Sequence, residues 1–288
     1  MASYDCDWVD AFTDRAFGGN GCVVVHGAGD MALEDRLALV RETSLSECAY
    51  LVPSDTADFG ARYYLPTREI PLAGHPTVAT VASLMHRGKV AAGDRFTLEV
   101  GAGVLPIHIH ADGWIEMTQP APTFGPTFAP ERIAAIYGLA AEEVVGAPQV
   151  VSTGTPFCVT LLRSLDAVRR AQLDREALAA WQADSGQGQM EPYLVCLEGV
   201  DGGDTFARLL MLPPEQDEDP FTGSATGCAA SWLWHHGHLA TPDYVAEQGH
   251  GLGRPGRARV SVLGPREAIE GVRVAGQAHV LMSGVLHI

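Results

Sequence analysis

The sequence predicts an α+β protein of two similar halves, each with strands wrapped around a buried helix. Three observations lead to this prediction. Strand-like and helix-like segments recur in the same order in both halves, the spacing between the repeats is nearly constant, and one helix in each half is apolar on all sides. A helix without a polar face has to be covered by other elements. A cleft between two such halves is the expected place for a ligand.

The first half begins with an apolar strand, NGCVVVH, at residues 20–26, and continues with a helix-like stretch at residues 31–44. Two strand-like runs follow. The segment LAGHPTVATVASLM, residues 72–85, then leads from a glycine turn into the apolar helix. Alternating strands with Gly-containing turns complete this half near Gln119.

The second half repeats this order. TPFCVTLL at residues 155–162 predicts a strand, DREALAAWQAD at 174–184 a helix, and YLVCLEG and FARLLMLP two further strands. The segment DPFTGSATGCAASWLWHHG, residues 219–237, is again a glycine turn followed by an apolar helix. The same series of elements in both halves indicates an internal duplication.

The spacing of equivalent residues supports the duplication. Gly74 and Gly223 are 149 residues apart, and Ala49 and Leu194 are 145 residues apart. Two unrelated halves would have no reason to keep such similar offsets. We therefore align the two glycine turns as equivalent positions.

The two halves are predicted to be separate domains. The Pro-rich segment PAPTFGPTFAPERI follows Gln119 and is typical of a linker. We assign residues 1–119 to the first domain and residues 120–277 to the second. The C-terminal strand, about residues 278–288, is expected to return to the first domain.

Composition and charge exclude several classes of function. The formal net charge of −16 disfavours nucleic acid and anionic membrane surfaces as partners. The acidic N-terminal segment does not have the pattern of a signal peptide, and no apolar run reaches the ~18 residues of a membrane span. The six cysteines form no C-x-x-C pair, which fits reduced thiols. We expect a cytoplasmic protein.

Both apolar helices begin in a way that favours an anionic ligand. The first backbone N–H groups of a helix usually donate a hydrogen bond to the side-chain oxygen of a Ser, Thr, Asp or Asn cap. The first helix instead begins with Gly74, His75 and Pro76, with no such side chain before them. An anion at this end would gain N–H donors and the field of the helix dipole together.

Four segments carry a resemblance to a known family. GGNGCVVV, SLSECAYLVP, AGHPTVATVASL and DPFTGSATG lie in the order and spacing of the phenazine-biosynthesis PhzF-like isomerase family. The repeat resembles that of its relatives, the cofactor-independent diaminopimelate epimerases. The resemblance covers essentially the whole chain. It implies two pseudo-symmetric domains, each a strongly curved, mostly antiparallel sheet around a central helix, with the active site in the cleft between them.

The resemblance also implies the catalytic residues, which are Glu47, His75, Asp219 and Ser224. Glu47 enters a strand of apolar residues, where partial burial raises a carboxyl pKa towards neutrality. An imidazole with a pKa near ~6.5 could give or accept a proton at cellular pH. From the residues alone, an exposed glutamate, a structural histidine and ordinary turn and cap residues stay open as alternatives.

The residues expected to bind the substrate surround the two glycine turns. They are Gly74, Pro76, Thr222, Gly223 and Ala225.

The function implied is that of a cofactor-independent isomerase, with no metal, which moves a proton between carbons of a small carboxylic acid. Relatives suggest a homodimer. Two alternatives stay open: an amino-acid or hydroxy-acid epimerase, and a non-catalytic protein that binds small anions on the same fold. The epimerases carry a thiol at each glycine turn, whereas this chain has none there, and Cys228 lies four residues beyond Ser224. Gly21, Cys22 and Cys228 depart from the family pattern.

Two groups of histidines were considered as metal ligands. His108 and His110 alternate on one strand, and His235, His236 and His238 end a helix. Neither group has the Cys, Asp or further His spacing of a zinc site. We therefore expect them to be structural or surface residues.

Overall fold

Eighteen strands join into one continuous, curved sheet. The computed structural model describes residues 2–186, 190–213 and 215–288. The strands are β1 (Ser3–Ala11), β2 (Asn20–Val25), β3 (Glu47–Val52), β4 (Phe59–Tyr64), β5 (Glu69–Ile70), β6 (Arg95–Val100), β7 (Gly103–Ile109), β8 (Ile115–Gln119), β9 (Thr123–Thr127), β10 (Gln149–Ser152), β11 (Pro156–Leu161), β12 (Pro192–Cys196), β13 (Thr205–Leu210), β14 (Glu218–Asp219), β15 (Asp243–Gln248), β16 (Gly256–Leu263), β17 (Gly271–Gly276) and β18 (Ala278–His287). The α-helices are α1 (Leu33–Thr43), α2 (Gly74–His86), α3 (Pro130–Ile136), α4 (Leu165–Arg170), α5 (Arg175–Ser185) and α6 (Gly223–His235).

The internal repeat is visible in the strand pairing. β2 and β3 are parallel, β3 and β4 antiparallel, and β4 and β6 parallel. β11, β12, β13 and β15 are paired in the same sequence of directions. Ala49 faces Tyr63 across β3 and β4, and Leu194 faces Arg208 across β12 and β13, so both members of each pair keep the offset of 145 residues.

Two further pairings connect the halves and the chain ends. β8 of the first half is antiparallel to β17 of the second. β18 is antiparallel to β1, so the last strand of the chain completes the first half of the sheet. At the ends of these strands, the backbone N–H of Ala2 donates to the carbonyl of Ile288 at 2.6 Å, and that of Ile288 donates to Ala2 at 3.0 Å.

The Pro-rich segment after Gln119 forms regular structure, although the sequence analysis predicted a linker. It contributes β9, which pairs with β10, and the start of α3. β9 is exposed along its length, and proline at 126 is compatible with a strand that pairs on one side. The prediction was wrong because proline content does not distinguish an edge strand from a linker.

The two apolar helices are buried, as predicted. Residues 74–84 of α2 and residues 223–233 of α6 are all buried. Neither helix has a side-chain cap: Ala73 precedes α2, and Thr222 precedes α6 without its hydroxyl bonding a helix N–H. The first-turn amides of both helices are therefore left without the side-chain cap that most helices have.

The N-termini of α2 and α6 touch each other at their glycines. A Cβ added to Gly74 would lie 2.5 Å from the Cα of Gly223 and 2.6 Å from the N of Ser224. Phe12 covers the same point: its ring would lie 2.7 Å from a Cβ on Gly223, and it stacks on Phe221 at 4.2 Å between centroids. Only glycine leaves room for two helix ends to approach this closely.

The largest apolar cluster spans both halves and includes residues of α2 and α6. Smaller clusters lie on the outer side of the sheet, under α1 in the first half and under α3, α4 and α5 in the second. All six cysteines are free, and five of them are buried. Among the described residues, no helix combines the length and the apolar character that crossing a membrane requires.

We expect Gly74→Ala to lower the free energy of unfolding by at least about 1–3 kcal/mol, because the new methyl group would overlap the Gly223 backbone. Denaturant unfolding measures the change. Gly284→Ala is the matched control, since a Cβ there meets open space, and it should change stability by less than about 0.5 kcal/mol. Equal stabilities for the two variants would contradict the contact between the helix ends.

Candidate active site

Glu47 is the first residue of β3, and its side chain reaches the wall of a small cavity between the halves. Only 15% of the side chain is exposed, and Oε2 makes no aligned hydrogen bond with the described residues. Burial raises the pKa of Glu47 well above its ordinary value, and the charges of Asp219 and Glu215 raise it further. Hydrogen bonds to a carboxylate stabilise its charge and lower its pKa, so a carboxylate that lacks them is a stronger base than one that accepts them.

His75 lies beside Glu47 in the first turn of α2. Its Nδ1 is 3.0 Å from Oε2 of Glu47, and only 2% of the side chain is exposed. Burial lowers the pKa of His75 to about 3, and the nearby Gly21 carbonyl, which favours the protonated ring, offsets this only in part. The expected pKa near neutrality was wrong for this reason. His75 is a neutral imidazole across the physiological pH range.

Asn20, at the start of β2, connects the two halves of the site. Its Nδ2 is 3.0 Å from Nδ1 of His75 and donates to Oδ1 of Asp219 at 2.7 Å and to the carbonyl of Phe221 at 3.1 Å. The sequence analysis missed Asn20, because the segment NGCVVVH indicated only an apolar strand. A polar residue at the start of such a strand, directly after Gly18 and Gly19, was the available signal.

Asp219 is held by donors from both halves. Asn20 and the hydroxyl of Ser46, at 2.9 Å, donate to Oδ1, and the hydroxyl of Thr222 donates to Oδ2 at 2.6 Å. Burial raises the pKa of Asp219 to about 6, and the hydrogen bonds from Thr222, Ser46 and Asn20 oppose that shift. Asp219 is therefore fixed in position, in contrast to Glu47.

Two buried glutamines hold the turn before α6. Nε2 of Gln248 donates to the carbonyl of Asp219 at 2.8 Å, and its Oε1 accepts from the backbone N–H of Thr222 at 3.1 Å. Nε2 of Gln119 donates to the carbonyl of Gly223 at 3.0 Å. Neither glutamine was predicted, because each lies at the end of a strand far from the turn in sequence.

The cavity has a volume of about 90 Å³. Four of the predicted site residues line it, namely Glu47, Asp219, Thr222 and Ser224. Its other walls combine apolar side chains with charged ones from both halves; they include Leu72, Phe157, Met211, Arg68, Glu191 and Glu215.

The remaining predicted residues lie outside the cavity wall. His75 contacts Glu47 but does not line the cavity, and Pro76 and Ala225 are buried within their helices. Gly74 and Gly223 contact each other. A role for these four small residues in binding substrate stays a prediction.

Glu191 and Glu215 add negative charge to the cavity and were not predicted. Burial and the charge of Glu215 raise the pKa of Glu191 to about 7. Glu215 lies 3.7 Å from Arg68. Both residues lie outside the helices and strands of the second half, and nothing in their local sequence indicates that they line the same cavity as Glu47.

The cysteines are not placed for proton transfer. Sγ of Cys228 lies 3.5 Å from the hydroxyl of Thr153 and 3.5 Å from the carbonyl of Thr155, and burial raises its pKa to about 11. Burial also raises the pKa of Cys22 well above its ordinary value. Among the described residues, no cysteine lines the cavity.

Comparison with known proteins gives the family. A family model described as "Phenazine biosynthesis-like protein" (PhzC-PhzF) matches residues 9–284. The chain is 32% identical to an uncharacterized isomerase, YddE, of Salmonella typhimurium, with 95% of each chain covered. It is 27% identical to the trans-2,3-dihydro-3-hydroxyanthranilate isomerase of Pseudomonas aeruginosa, with 96% of each covered.

Solved structures agree on the fold. A phenazine biosynthesis protein of the PhzF family from Bacillus anthracis superposes with a TM-score of 0.86 at 25% identity, with 100% of each chain covered. A hydroxyproline epimerase from Agrobacterium vitis superposes with a TM-score of 0.68 at 13% identity, covering 99% of this chain and 92% of that one, which extends the likeness of fold to the epimerases. The chain belongs to the phenazine biosynthesis-like, or PhzF-like, family of isomerases.

Proposed function

We propose that this protein is a cofactor-independent isomerase in which Glu47 removes a proton from one carbon of a small carboxylic acid and returns it to another. The observation that carries the proposal is the state of Glu47: its carboxyl is largely buried at the cavity wall, and its Oε2 lies 3.0 Å from Nδ1 of the neutral His75 but makes no aligned hydrogen bond with the described residues. A base whose pKa is raised by burial has more driving force to take a proton from carbon.

The hydrogen bonds around Asn20 define how His75 assists. The amide N–H groups of Asn20 donate to Oδ1 of Asp219 at 2.7 Å and to the carbonyl of Phe221 at 3.1 Å. Nδ1 of His75 is therefore left to face Oε2 of Glu47. A neutral imidazole there can accept a hydrogen bond from the protonated carboxyl of Glu47 and hold it in position during the transfer, without adding a positive charge that would lower the basicity of Glu47.

In this mechanism the proton moves internally. The ionised Glu47 takes a proton from the first carbon, and the electron pair of the broken C–H bond is delocalised over the conjugated acid. The same carboxyl then donates its proton to the second carbon, and Glu47 is ionised again. Holding the base beside both carbons makes the transfer effectively unimolecular.

The substrate carboxylate is expected at the N-termini of α2 and α6, next to the Ser224 hydroxyl. The amides of both first turns lack side-chain caps, and the two helix ends meet at Gly74 and Gly223. Together they would place two helix-dipole fields on one anion. Such local attraction is needed because the chain carries a net charge of −16.

Substrate entry requires the halves to separate. The cavity volume of about 90 Å³ is well below the ~300–1,000 Å³ of ordinary small-molecule pockets. Closure around the substrate would exclude water and strengthen the electrostatic contacts. The substrate itself is a small carboxylic acid, and trans-2,3-dihydro-3-hydroxyanthranilate is the first candidate to test because the named activity of one relative uses it.

Replacing Glu47 with Gln should abolish isomerisation and leave binding of the acid largely intact. We expect loss of carbon-bound proton signals in deuterated water, followed by NMR, to slow by at least about 10²-fold with any acid that the wild type accepts. Glu42→Gln on the exposed face of α1 is the control. Full isomerisation or exchange in Glu47→Gln would refute the mechanism, and an acid that binds to the wild type with neither isomerisation nor exchange would favour the anion-binding alternative.

An epimerase based on two thiols would respond differently. Cys228→Ser should reduce turnover far less than the ~10²-fold expected for an acid/base residue, because the thiol pKa of about 11 leaves it protonated and it does not line the cavity. The measurement is the same exchange assay, with and without prior thiol alkylation. Exchange that survives Glu47→Gln but is lost in Cys228→Ser would establish the epimerase.

The difference in stability between Glu47→Gln and the wild type should depend on pH. A carboxyl whose pKa is higher in the folded protein than in the unfolded chain costs no stability below the unfolded pKa of about 4.5, and costs progressively more as the pH rises towards the folded pKa. We therefore expect the variant to gain melting temperature over the wild type, with a larger gain at about pH 8 than at about pH 5. A gain that is independent of pH would contradict the burial of an ionisable Glu47.

A further inference from the structure

Three ligand-type side chains meet on the outer face of the first half, away from the cavity. β7 and β8 are antiparallel, and their register places His108 directly opposite Glu116. His110 lies two residues after His108, directly beyond the end of β7, and its ring lies against that of His108 on the same side of the sheet. The sequence predicted structural or surface roles for the two histidines, because no Cys, Asp or further His stands near them at the spacing of a zinc site, whereas Glu116 comes from the next strand.

The distances suit a shared ion. Nε2 of His110 lies 3.1 Å from Oε2 of Glu116, and the rings of His108 and His110 are 4.1 Å apart at their centroids. One ligand atom from each of the three residues lies within 4.8 Å of the others. Donors around a tetrahedral zinc ion, at about 2.0–2.1 Å from the metal, are about 3.4 Å apart, so small side-chain rotations would complete the arrangement.

The cluster has two features of metal sites: its side chains are partly buried, and one of them contacts a residue outside the cluster. All three residues are half-buried. Nε of Arg273, on β17, lies 3.7 Å from Oε1 of Glu116, which leaves Oε2 directed at His110. Outer contacts of this kind orient a ligating carboxylate. The net charge of −16 also favours the approach of a cation.

We propose that His108, His110 and Glu116 bind one divalent transition-metal ion with zinc-like ligand preference, with water in the remaining coordination position. Two imidazoles and a carboxylate form a donor set that zinc accepts. Its place in the sheet gives the ion a structural role: it connects β7 to β8, the strand whose other edge pairs with β17 and so joins the two halves.

The test uses the full chain without an affinity tag. Equilibrium titration with Zn²⁺, and with Co²⁺ followed by its visible absorption, should give one ion per chain and the intense bands of a tetrahedral Co²⁺ site. Glu116→Gln and His110→Ala should each weaken the affinity for Zn²⁺ by at least about tenfold. Even the loss of a residue that only contacts a metal ligand lowers metal affinity by about 10–100-fold. Zn²⁺ should raise the melting temperature of the wild type and not of these variants.

The double variant His235→Ala/His236→Ala is the matched control, because it removes two adjacent, exposed histidines at the end of α6. It should bind Zn²⁺ and Co²⁺ as the wild type does. Unchanged affinity in both Glu116→Gln and His110→Ala, or loss of binding in the control, would overturn the proposal. Neither result would bear on Glu47, because the cluster contributes no residue to the cavity wall.

Discussion

The close approach of two helix N-termini is the constraint on which the rest of the structure depends. Gly74 and Gly223 bring α2 and α6 into backbone contact, and each helix is enclosed by the strands of its own half. Glu47 and Asp219 then come from opposite halves and face one cavity. A duplicated unit thus becomes a single site, because the turns at equivalent positions of the two copies meet.

Glu47 and Asp219 both have largely buried side chains but are differently supported. Asp219 accepts hydrogen bonds from Asn20, Ser46 and Thr222, whereas Oε2 of Glu47 makes no aligned hydrogen bond with the described residues. Hydrogen bonds stabilise a carboxylate, and their absence leaves its charge costly. In the proposed mechanism, the contrast is consistent with a positioning role for Asp219 and a reactive one for Glu47. Proteins commonly sacrifice stability in this way at functional sites.

The sequence was sufficient for those features that depend on pattern and order. The repeat at constant offset, the two buried helices and the missing side-chain cap of α2 follow from local patterns, whereas Glu47 and Ser224, which line the cavity, were predicted from the family resemblance. The pKa of His75 did not, because it depends on burial by strands distant in sequence. Asn20 was missed for the same reason: its partners are hydrogen-bonding groups that only the folded chain brings together.

The pairing of β18 with β1 also determines the order in which the two halves of the sheet can be completed during synthesis. β1 is synthesised long before β18, one of its two partners in the sheet. A nascent chain can close the sheet of its second half while the first half still presents an unpaired edge and part of α2 is not yet covered by β18. The first half therefore cannot be completed until the second half has been synthesised, against the usual order in which N-terminal units are completed first.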